Sequence, residues 1–123
     1  SLSYRVKVAN SMPKHNTILL SLHNNASRSH NARGFEIYTS RGLTGSDAVA
    51  TEIYNQIACY YEDAKLKLRY DPSDGDPDKE ADFYVLRKSR CKAVLVEYLF
   101  FDNKYDVKHL KDPRTAMNLA WNS

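Results

Sequence analysis

Cysteine is scarce in this chain: Cys59 and Cys91 are the only two in 123 residues, and no C-x-x-C spacing relates them. Buried free thiols are therefore the expectation, with a disulfide left open. Long apolar runs are missing too. None approaches the roughly 20 residues that cross a bilayer, so the chain reads as a soluble domain without a membrane partner. Basic residues are not gathered either. The densest stretch is Arg87-Lys88-Ser89-Arg90 with Lys92, and the formal charge is only +3, which gives no case for nucleic acid. No repeat, low-complexity tract or second domain is visible, so 1–123 reads as one unit.

Against these absences stand two short apolar runs that each end in an ionisable residue. Thr17-Ile18-Leu19-Leu20-Ser21-Leu22 runs into His23, and Ala93-Val94-Leu95-Val96 runs into Glu97. Residues that are apolar at successive positions fit strands covered on both faces, and such strands are usually parallel with helices above and below. The fold class expected is α/β. In open parallel sheets ligands bind at the carboxyl ends of the strands, where both ionisable groups sit. A histidine and a glutamate there can hold a metal ion and work as a general base beside it. Taken singly, each is also an ordinary polar strand terminator.

The remaining pattern places other elements around these strands. Leu2, Val6 and Ala9 have helical spacing, so 1–10 reads as the end of an amphipathic helix. Residues 24–33 form a polar loop, and Gly34 to Ser40 alternates as a half-exposed strand at or near an edge. Thr44 and Ser46 are plausible helix caps, with Asp47 well placed in the first turn. From there to about Leu66, Val49, Ile53 and Ile57 recur four apart beside Ala50, Tyr54, Ala58 and Tyr61, predicting one long helix packed on the sheet. Residues 69–82 read as an exposed acidic loop. Counting from Asp74, Lys79 and Val85 stand where a calcium loop needs glycine and glutamate, which rejects that motif. Phe83 to Leu86 is expected as a short strand. Asp112-Pro113 reads as a cap and a first helical proline.

Four blocks occur in one order: Leu-Ser-Leu-His-Asn-Asn-Ala-Ser (20–27), Gly-Phe-Glu-Ile-Tyr-Thr-Ser (34–40), Val-Leu-Arg (85–87) and Val-Leu-Val-Glu-Tyr-Leu-Phe-Phe-Asp-Asn (94–103). In that order they resemble the zinc-dependent N-acetylmuramoyl-L-alanine amidases of type 3, over nearly the whole chain. The resemblance implies a mostly parallel central sheet flanked by helices, of the amidase/phosphorylase kind. It also implies cleavage of the amide between N-acetylmuramic acid and L-alanine in peptidoglycan, at the cell wall or in another extracellular or periplasmic place. His23 is then a zinc ligand, and Glu97 the general base and later acid. The family takes its other zinc donors from an upstream histidine and an upstream glutamate. Neither has a counterpart here, so 1–123 is expected to be a partial, N-terminally incomplete catalytic domain that is inactive as given and prone to self-association through an uncovered sheet edge.

Smaller expectations follow. Asn25 can bind substrate or brace the metal loop, and Arg87 can take a stem-peptide carboxylate with its planar fork. His30 is a conceivable substitute zinc ligand; His15 should lie at the opposite end of the first strand, and His109 on the surface. Asn103 and Asp106 match family positions that helix capping also explains. Tyr98-Leu99-Phe100-Phe101 replaces the Gly-Phe of many members and looks more like phage-encoded or sporulation-type lytic amidases. Two alternatives stay open: a noncatalytic peptidoglycan-binding module, and a zinc peptidase acting elsewhere on the stem peptide.

Overall fold

The apolar run around residue 95 becomes the centre of the molecule because both of its faces find helices. In the computed structural model, which describes residues 1–122, the strands are β1 (Ile18–Asn25), β2 (Glu36–Thr39), β3 (Lys79–Glu80) and β4 (Lys92–Phe100). The helices are α1 (Leu2–Asn10), α2 (Gly45–Asp63), α3 (Tyr84–Lys88), α4 (Asp106–Leu110) and α5 (Pro113–Asn122). The strand order is β1-β4-β2-β3. β1 runs parallel to β4 and β3 parallel to β2, while β2 and β4 are antiparallel. The sheet is thus mixed but mostly parallel, as expected of this α/β chain.

Alternation along β4 splits the core into two layers. Val94 and Val96 join Phe35, Ile37, Ala50, Ile57, Tyr61, Leu66, Leu99 and Leu119 under α2 and α5. Ala93 and Leu95 point the other way, into a smaller cluster with Val6 of α1 and Val85 and Leu86 of α3. The long helix starts where its sequence says: Thr44 accepts from the Ser46 amide, and the Asp47 carboxylate accepts from the Thr44 amide, a capping box. Of its apolar stripe, Ala50, Ile57 and Tyr61 are buried in the core, and Val49, Ile53 and Tyr54 pack half-buried against it. Ile57 and Tyr61 are completely buried, each worth about 1.5–3 kcal/mol in removed apolar surface.

Several expectations change on inspection. Residues 83–86 are not a strand: Leu86 and Arg87 donate their amides to the Phe83 carbonyl, opening α3. A four-residue apolar run cannot by itself distinguish a strand from a buried helical turn. The long helix ends at Asp63, because Lys65 takes φ +56° and the Leu66 amide turns back to the Tyr61 carbonyl. The acidic loop is not wholly exposed either, since it contains β3, and Asp78 is buried and accepts a 2.6 Å hydrogen bond from the Thr39 hydroxyl. Both cysteines are free, but Cys59 is exposed and only Cys91 is buried.

The end of β4 and the start of β2 are joined by one side chain. Asp106, fully buried, accepts from the Gly34 amide at 2.7 Å and the Phe100 amide at 3.0 Å. Gly34 has φ +110°, and a Cβ there would lie 2.5 Å from the Lys67 carbonyl oxygen, so only glycine fits this crossing. Asn103 caps α4 by accepting from the Tyr105 and Asp106 amides. The tightness at Gly34 brings 67–69 alongside Phe35, with amide bonds from Phe35 to Lys67 and from Arg69 to Phe35. That placement carries Arg69 to the sheet.

Candidate active site

His23 and Glu97 are direct partners in the parallel β1/β4 register, and Glu97 is also the direct partner of Glu36 across the antiparallel β2/β4 pair. In-register residues on neighbouring strands point to the same face, with Cβ atoms about 4.5–5.5 Å apart. The three side chains therefore make a row across the carboxyl ends of β1 and β4. α1 and α3 cover this face farther back, over Ala93 and Leu95. The row itself is left partly open: His23 and Glu97 are half-buried.

Each member of the row is held differently. His23 Nε2 lies 2.7 Å from the hydroxyl of Ser21, which sits two residues earlier on the same face. Glu97 has a buried carboxylate oxygen, Oε2, with no hydrogen-bond partner among the described residues. Burial, and after it the nearby Glu36 carboxylate, push Glu97 up to about 7 from the ordinary carboxylate value of 4.5. A group with that proton affinity can take a proton near neutral pH and give it back.

Glu36 is the residue that the sequence did not single out. It is 4% exposed and works as a hub: Arg69 Nε donates to Oε1 at 2.6 Å, Lys79 Nζ lies 3.5 Å from Oε2, and the Tyr38 hydroxyl donates to Oε2. Burial raises the proton affinity of Tyr38, and the hydrogen bond to Glu36 raises it further. The alternation over 34–40 does put Glu36 and Tyr38 on one face. What it could not show is that β2 lies against β4, which turns that polar face toward Glu97.

The other site expectations separate. Asn25 braces the chain: its side-chain oxygen accepts from the Ala26 amide at 2.9 Å, and its carbonyl accepts from the Phe101 amide. Arg87 sits on a helix, not after a strand, and its guanidinium is 2.9 Å from Asp82 and lies over the Tyr84 ring. His30 takes φ +56° and places Nδ1 2.9 Å from Asp102, which also accepts from the Ser27 amide. This is a loop clip; it binds His30 to the turn after β4. His15 lies in the short turn before β1, at the opposite end, as expected. Among the described residues no group of three histidine, cysteine, aspartate or glutamate side chains is arranged to hold a metal.

A half-buried histidine and a carboxylate of raised proton affinity thus stand side by side at the carboxyl edge of the helix-flanked sheet of an α/β domain. The match to known proteins is narrower. The family described as N-acetylmuramoyl-L-alanine amidase matches residues 1–122, and the chain belongs to that family. Among solved structures, the N-acetylmuramoyl-L-alanine amidase of Clostridium difficile 630 superposes with a TM-score of 0.83 at 27% identity, over 99% of this chain and 60% of that one. The catalytic domain of the amidase CwlV from Bacillus (Paenibacillus) polymyxa var. colistinus gives 0.73 at 26%, over 99% and 60%. The Nostoc punctiforme amidase AmiC2 gives 0.82 at 25%, over 99% and 61%. The chain thus spans about three fifths of the structures it resembles. Comparison with curated protein sequences gives no match.

Proposed function

We propose that this chain acts on peptidoglycan at the cell wall, hydrolysing the amide between N-acetylmuramic acid and L-alanine, with Glu97 as general base and then general acid. The observation that carries this reading is the in-register pair His23–Glu97, whose carboxylate holds its proton up to about 7. Glu97 takes a proton from the attacking water; the same proton then goes to the leaving nitrogen, which departs as an amine. Glu36 keeps the neighbouring ground rigid and negative, and Arg69 and Lys79 balance it.

A zinc ion would polarise the carbonyl and acidify the water. In this reading His23 is the donor that the chain brings to it. One imidazole does not retain catalytic zinc, and no group of three donors is arranged for it among the described residues, so the donor set present does not fit the metal. That shortage favours a second reading, a peptidoglycan-binding module without turnover. Incubation of the chain with purified peptidoglycan, with and without added zinc, separates the readings by mass spectrometry of released products. Stem peptides beginning with L-alanine, absent with Glu97→Gln, support the amidase. Cosedimentation with no released peptide supports the binding module, and cleavage inside the stem peptide supports a peptidase.

A further inference from the structure

A cavity of about 490 Å³ opens at the amino end of β4, the opposite edge of the sheet from His23 and Glu97. Its lining has one electrical sign. Lys14 and His15 come from the turn before β1, and Arg90 and Lys92 from the approach to β4 and its first residue; no carboxylate lines it. None of these four takes part in a salt bridge among the described residues. Arg90 is held in place from behind, through bonds to the side chain and carbonyl of Asn10.

The fourth wall is the start of α2, with Thr44, Gly45 and Ser46. The aliphatic chain of Lys92 crosses Gly45 so closely that a Cβ there would lie 3.2 Å from its Cε. The ammonium group is thereby carried toward the positive end of a 19-residue helix. Cations are disfavoured at that end. Asp47, which bonds the Thr44 amide, offsets part of this charge but does not line the cavity. A cleft that gathers like charges against a helix start, with hydroxyl groups between them, is arranged for an anion that is not part of the chain.

The geometry points to a binding site for a phosphate-class anion in this cleft, with Lys14 and Lys92 as its main cationic contacts. The site stands apart from the amide-hydrolysis reading, since its residues lie at the other edge of the sheet. Two sources carry this chemistry: free inorganic phosphate and the phosphodiesters of an anionic polymer. The test titrates the whole chain with inorganic phosphate and, separately, with poly(glycerol phosphate), following backbone amides by NMR. Saturable shifts at residues 14–15, 44–46 and 89–92 are expected, weakening at least about tenfold in Lys14→Gln/Lys92→Gln. Tighter binding of the polymer per phosphate identifies the polymer as the source, and equal binding identifies free phosphate. Absence of saturable shifts in the parent chain, or unchanged affinity in the double variant, overturns the site. A thermal melt checks that the variant folds, and Lys14→Arg/Lys92→Arg, which keeps both charges, should restore binding.

Discussion

β4 carries opposite chemistry at its two ends, and the ends are treated oppositely by the fold. Near its carboxyl end, Glu97 is half-buried between a histidine and a second carboxylate, and its proton affinity rises to about 7. At its amino end, Lys92 is exposed among other cations. Charge left in water keeps the solvation that stabilises it. Charge taken from water changes its protonation unless partners hold it. Glu36 shows the second solution: it is more deeply buried than Glu97, yet Arg69, Lys79 and Tyr38 all engage it. The carboxyl edge therefore contains one carboxylate engaged by three side chains and one of raised proton affinity.

The sharpest way to break this contrast is at Glu97. Where the parent releases stem peptides from peptidoglycan, Glu97→Gln should lower that rate by at least about a hundredfold, measured by mass spectrometry. Lys14→Gln/Lys92→Gln, at the other edge, should leave that rate unaltered. Next in size is Glu36. Removing it in Glu36→Ala strands Arg69 and Lys79 beside the core and should cost about 2–4 kcal/mol in urea unfolding.

A pH series tests the protonation difference directly. Because folding raises the proton affinity of Glu97, the folded chain binds more protons than the unfolded one between 4.5 and about 7. Stability contributed by this group is complete below that window and falls as pH rises through it. The loss should reach about 1–2 kcal/mol by pH 8, after allowance for solvent screening of a half-buried group. Denaturation of the parent and of Glu97→Gln across the range should show this slope only in the parent. At the other edge, Thr44→Ala removes the cap of α2 and should cost about 1 kcal/mol in thermal stability.

How much of this was legible in the residues differs between the two carboxylates. Glu97 could be found because a continuous apolar strand leads straight to it, and His23 because β1 repeats the pattern. Glu36 was hidden. Its strand alternates, and alternation ordinarily means that the polar side faces water. Only the strand order β1-β4-β2-β3 buries that side, and strand order depends on contacts between segments far apart in the chain. The cap at Thr44 and the stripe from Val49 to Tyr61 were legible because they are local. The short helix at Tyr84–Lys88 was not, since its tertiary packing of Val85 and Leu86 decides between two conformations that the same four apolar residues allow.

Among the described residues β1 has a single neighbour in the sheet, and its alignment with β4 puts the imidazole beside the carboxylate. A shift of one residue along that ladder would send the ring to the α2 side and bring a leucine or an asparagine to its place. The alignment of the pair is consequently a property of main-chain hydrogen bonding, inherited by whichever side chain occupies position 23. Substitutions that loosen the outer strand should silence the pair without touching either member.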